Sequence, residues 1–138
     1  MVGYCVVCCV VCCVVRMQVF TSCLKFAKKL DESKFFVVSI SRFPPRGFRG
    51  YKCFEFAPSA DLLKRFKGGL SQYHYAVRYR RDVLDKINVH KIFEDLAVQA
   101  CGRDIVLCCF EPAFDFCHRR LLARYVQEVW GYSIEELC

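Results

Sequence analysis

The stretch FFVVSIS, residues 35–41, runs without a break into RFPPRGFRG, residues 42–50. The first part is almost continuously apolar and β-rich, the pattern of a strand buried on both faces of a parallel sheet. The second part stops it. Two prolines and two glycines in nine residues forbid regular structure and predict a long, basic loop. The same arrangement recurs downstream. DIVLCCF (104–110) is a second fully apolar strand, and after the loop EPAFDF the spacing predicts a helix from about Cys117 to Val129, stopped by Gly131.

Working outward, QVFTSC (18–23) reads as a short strand and Leu24 to Leu30, with three lysines, as a helix. Asp31-Glu32-Ser33 marks a turn. Ser59 is placed to cap a helix that Gly68-Gly69 ends, and Ser71 to cap a second one running to about Ile87, with Tyr73, Val77, Leu84 and Ile87 near one face. A third helix spans Val89 to Ala100 and ends at Cys101-Gly102. YSIEEL (132–137) is a weak final strand. Strands alternating with helices predict an α/β fold, a small Rossmann-like domain of three to four mainly parallel strands with flanking helices.

The chain has 138 residues, enough for one domain, and 55% hydrophobic residues, too many for a disordered tail. Five of the 12 cysteines fall in the first 13 residues, inside MVGYCVVCCVVCCVVR (1–16). That run is low-complexity and ends at Arg16, shorter than the roughly 20 apolar residues that span hydrocarbon. It has neither a basic start nor a small-residue cleavage site, so it reads as an extension outside the domain, which spans 17–138. The remaining cysteines fit a reduced, cytoplasmic protein with no membrane attachment.

Charge is uneven. Residues 42–81 carry ten Lys/Arg against Glu55 and Asp61, whereas residues 82–138 carry more acid than base. A basic centre reads either as a solvated face or as the mouth of a site for a small anionic ligand. Nucleic acid is the other candidate partner, although no RNP, helix-turn-helix or zinc-finger pattern accompanies the charge. Phe43, Phe48, Tyr51, Tyr73, Tyr75 and Tyr79 permit base stacking, and the aromatics within 73–87 also read as core.

Ligands of open parallel sheets bind beyond the carboxyl ends of the strands. One such end delivers Ser39, Ser41 and Arg42 into the proline loop. The other delivers Cys109 and Glu111, then Cys117-His118-Arg119-Arg120 at a helix start. A cysteine in the first turn of a helix gains thiolate character from the helix dipole, and the neighbouring basic residues act the same way. Arg42 and Arg119 are the candidates to bind a small, nucleotide-like anion, with Cys117 as nucleophile or thiolate sensor, His118 as proton carrier and Glu111 as general acid or base. The same residues admit plainer roles: Cys108 as a small core hydrophobe, Cys117 as packing, His118 as a bridge to a loop. No cofactor is expected. Zinc on Cys109, Cys117 and His118 is a weaker option that lacks an evident fourth ligand.

Taken in order, SISRFPPRGFRGY, FAPSADLLKRFKGG, YRRDVL, IVLCCFE and CHRRLLARYV resemble the DUF488 family, in its variant with an SxSRxPP loop and an LCxE…CHR ending. The likeness covers about Met17 to Glu135. Members begin close to a strand matched here by Val19-Phe20-Thr21-Ser22, which agrees with setting residues 1–16 apart. The resemblance implies a small Rossmann-like fold and no established reaction. It singles out Ser39, Arg42, Pro44 and Pro45 in the first motif, and Cys109, Glu111, Cys117, His118 and Arg119 in the last. Two departures stand out. Cys108 replaces a usual aliphatic residue, and Pro112-Ala113 replaces a common lysine-proline pair, which disfavours a large anion.

Overall fold

The computed structural model describes residues 17–110 and 116–137, so the Val/Cys stretch 1–16 and the segment 111–115, with Glu111 and Pro112-Ala113, lie outside the described residues. Five strands form one all-parallel sheet: β1 (Val19–Cys23), β2 (Phe35–Ser39), β3 (Tyr51–Lys52), β4 (Asp104–Cys109) and β5 (Ile134–Leu137), in the order β3-β2-β4-β1-β5. The sequence predicted three to four. The extra strand, β3, is a two-residue edge strand, too short to carry a periodic pattern.

The helices are α1 (Leu24–Ala27), α2 (Ala60–Lys67), α3 (Gln72–Asp82), α4 (Val89–Ala100) and α5 (His118–Tyr125). Both predicted serine caps form. Ser59 accepts from the Leu62 amide and Ser71 from the His74 amide, satisfying first-turn donors that have no partner within the helix. Asn88 does the same for α4. That helix closes on Cys101, whose φ of 51° is left-handed and is followed by Gly102 at φ 86°. After α5 the chain makes one π turn (Val126–Trp130) before Gly131 reverses it at φ 77°.

Two expectations need correction. The helix predicted from Leu24 to Leu30 is a single turn, because the amides of Lys29 and Leu30 close tighter bonds on the Phe26 and Ala27 carbonyls and lead into a second turn that Asp31 caps. The inner face of α3 is also rotated. Tyr73 is 73% exposed and Val77 is exposed, while Tyr75 and Tyr79 are buried against Phe66, Phe116 and His118. The helix stops at Asp82, and Leu84 reaches the core from a separate 3-10 turn (Leu84–Lys86), so no single helical face joins residue 73 to residue 87.

The two sheet faces are covered unequally. Ile105, Leu107 and Cys109 of β4, with Val38 and Ile40, are fully buried under Phe56, Tyr79, Phe93 and Leu122 from the α2–α5 side. Among the described residues, the other face carries only α1, whose Leu24 and Ala27 cover Val106 and Cys108, while Phe35, Val37 and Phe48 stay partly exposed. No helix among the described residues is long and apolar enough to cross a membrane.

Candidate functional site

Neighbouring strands β1 and β4 send their outgoing connections to opposite faces, α1 to one and α5 to the other. Such a switch point leaves a crevice at the carboxyl ends of the two strands. β4 ends there on Cys109. Cys117 sits directly before α5 in extended backbone, as its N-cap residue. The two sulfurs are 3.3 Å apart. Cys109 is fully buried and Cys117 is 4% exposed, making Cys117 the outer thiol.

Arg119, in the first turn of α5, is turned inward and is fully buried. Its Nη1 donates to Cys109 Sγ at 3.0 Å. Its Nε and Nη2 donate to the two carboxylate oxygens of Glu136 at 3.0 and 2.8 Å, a fork-to-fork pair. Thr21 of β1 donates its hydroxyl to the same carboxylate at 2.8 Å. Thr21 and Glu136 are partners in the register of β1 and β5, so both side chains meet α5 on the core face.

These contacts set the charges. Burial pushes the Glu136 carboxyl up, but Arg119 and Thr21 outweigh it and hold the group below its ordinary value. Burial also works against the Arg119 charge, which Glu136 and the two sulfurs more than offset. The Cys109 hydrogen bond lowers the Cys117 thiol to about 7. Burial opposes this, and the Arg119 charge and the backbone N–H groups of Arg120 and Arg119 assist it. The result is a directed chain: Glu136 holds Arg119, Arg119 donates to Cys109, and Cys109 donates to Cys117. Cys108, one residue earlier, faces the opposite side, and burial drives its thiol up to about 12.

His118 joins the two strand ends picked out by sequence. Its Nε2 lies 2.8 Å from the Ile40 carbonyl, and Tyr79 packs edge-on against the ring at 5.7 Å. A carbonyl only accepts, so Nε2 carries a hydrogen. Ile40 in turn donates its amide to the Cys108 carbonyl, extending β2 along β4. The SISR segment therefore runs beside the Cys109 strand. Ser39 is buried and its hydroxyl accepts from the Ser41 amide. Arg42 leaves the strand with its Nε fixed on the Pro58 carbonyl at 2.9 Å and its guanidinium 5.8 Å from the Phe54 ring. Among the described residues, no hydrogen bond uses its two terminal nitrogens. Pro44 and Pro45 are half-buried, and Pro45 lines a groove of about 730 Å³ on the α1 face, with Phe35, Phe48, Arg46 and Arg49. The structure thus gathers Cys109, Cys117, His118, Arg119 and the Ser39–Ser41 segment, and places Pro45 on the other side of the sheet.

Among the described residues, no group of three His, Cys, Asp or Glu side chains is placed to hold a metal ion, and the Nε2 of His118 is directed at a backbone carbonyl. Glu111 lies outside the described residues. Sequence reading missed Thr21 and Glu136. Their signal was alternation: if Ile134 faces the core, Glu136 must share that face.

Fold and site together define an all-parallel α/β protein with a dithiol held by a buried arginine, itself paired to a half-buried carboxylate, at its topological switch point. The chain belongs to the DUF488 family: the model of the active DUF488-N3 subclade matches residues 20–129. No curated protein and no solved structure matches the chain.

Proposed function

We propose that this protein is an enzyme whose nucleophile is the Cys117 thiolate, acting on a small anionic, nucleotide-like substrate at the carboxyl ends of β2 and β4. The observation that carries the reading is the hydrogen-bonded chain from Glu136 through Arg119 and Cys109 to Cys117. A buried cation and a donated thiol hydrogen favour the anionic form of the outer sulfur, the form that attacks. Arg42, fixed through Nε, holds the substrate anion with its terminal nitrogens. His118 carries the proton and Glu111 serves as general acid or base. Arg119 is assigned to the thiols rather than to the substrate, because its guanidinium is already engaged by Glu136 and Cys109. The description of the matching subclade as active agrees with an enzyme.

The test uses adenine and guanine mono- and triphosphates and inorganic phosphate. At least one is expected to raise the melting temperature, Arg42→Ala to remove that rise, and Cys117→Ser to abolish any turnover found. Turnover unaffected by Cys117→Ser overturns the nucleophile, and no binding of any probe overturns the anion site.

One observation favours a second reading, a single-stranded nucleic-acid surface. Phe43 is 71% exposed, and Tyr51 and Phe54 are also exposed, within reach in sequence of Arg42, Arg46 and Arg49. Exposed rings among cations are what base stacking uses. Affinity for an oligonucleotide in filter binding should then fall steeply with salt. No binding at low salt removes this reading.

A further inference from the structure

We propose that Cys109 and Cys117 are a redox pair: a hydroperoxide oxidises Cys117, and Cys109 resolves the product as a reversible intramolecular disulfide. The proposal rests on the reading of Cys117 as the reactive thiolate and adds a modification that switches the same site off.

Three observations carry it. The sulfurs are already in contact at 3.3 Å, so closing to a disulfide length of about 2.0 Å needs only a small rotation of the side chains. The pair is ordered, with Cys117 as the outer thiol and Cys109 buried behind it. Arg119 reaches the inner sulfur, so the resolving thiol is held against the site of oxidation and cannot swing away. Cys108 provides the contrast within the same strand. It is equally buried, and its thiol donates weakly to the Val106 carbonyl on the opposite face.

In the first step the Cys117 thiolate attacks the terminal oxygen of the hydroperoxide. An S–O bond forms, the O–O bond breaks, and the leaving oxygen takes up a proton as alcohol or water. Sulfur is oxidised to sulfenic acid and the peroxide is reduced. In the second step the Cys109 sulfur attacks Cys117 Sγ. The S–S bond forms, the S–O bond breaks, and hydroxide leaves with the Cys109 proton as water. A thiol reductant reverses the second product by exchange.

The sequence makes the measurement direct, because Arg103 and Arg119 bound one tryptic peptide that holds Cys108, Cys109 and Cys117. The full chain is reduced, treated with hydrogen peroxide, alkylated with iodoacetamide under denaturing conditions and digested. The expected peptide carries label on Cys108 alone and is lighter by two hydrogens, and dithiothreitol before alkylation restores three labels. Cys109→Ser should instead leave a Cys117 sulfenic acid that dimedone traps. A wild-type peptide with three labels after peroxide overturns the proposal, as does Cys117 oxidised to sulfinic acid with Cys109 still labelled. The two readings fail separately. Rapid alkylation of Cys117 near neutral pH without a disulfide leaves the nucleophile standing and removes the redox pair. A disulfide in a protein whose turnover survives Cys117→Ser leaves the pair and removes the catalytic role.

Discussion

The two faces of the sheet use the same strands for different ends. On the α2–α5 face, Val38, Ile40, Ile105 and Leu107 are sealed under aromatic and aliphatic side chains, and the Arg119 guanidinium is sealed in with them, paired to the partly exposed Glu136. On the α1 face a single helical turn covers Val106 and Cys108 and leaves Phe35 and Val37 half-exposed. Adjacent residues of β4 show the difference most sharply. Cys109 faces the thick layer and meets a second thiol and an arginine; Cys108 faces the thin one and is a packing residue with a thiol pushed up to about 12.

Phe93→Ala, which empties a fully buried ring packed on Phe56 and Tyr132, should cost about 3–5 kcal/mol by urea unfolding. Arg119→Met leaves Glu136 without its cation beside the core and should cost about 3 kcal/mol. A loss under about 1 kcal/mol there means the pair is not holding the thick face together. Val37→Ala, on the thin face, should cost about 1 kcal/mol, and a value equal to Phe93→Ala abolishes the asymmetry.

The smallest effect is the most specific. The pH profile of iodoacetamide labelling should put Cys117 half-reactive at about pH 7, leave Cys108 unlabelled in the folded protein, and move the Cys117 profile upward in Cys109→Ser. The linked stability has a definite sign. The folded value lies below the ordinary 9.0, so this contribution is full above about pH 9 and is lost as pH falls through about 7.

The long apolar runs were legible in the sequence because a strand buried on both faces has no polar alternation to confuse it. Ser59 and Ser71 were legible because a cap is a local arrangement of one side chain and the next turn. β3 was not, since two residues at an edge are fixed by pairing with Val38 and Ser39 rather than by their own pattern. The inner face of α3 was misjudged because Tyr75 and Tyr79 are drawn inward by Phe66, Phe116 and His118, partners distant in sequence or from other elements. At the site, Cys109, Cys117 and His118 stood out through strand ends and a helix start. Glu136 did not. A carboxylate in a weak terminal strand reads as solvent-exposed until β5 is known to lie beside β1 and to present it to Arg119.

That placement of β5 has a consequence for how the chain is made. Thr21 and Glu136 are separated by 115 residues, and β1 lies between β4 and β5, so the first strand waits for the last two before it has either neighbour. Contacts of such long range form late and slow folding. On a ribosome, α2, α3 and α4 emerge while β1 still has an unpaired backbone on both sides. The arginine cannot find its carboxylate until β5 has been made. The dithiol is therefore assembled last, and an unfinished chain carries the cysteines without their chemistry.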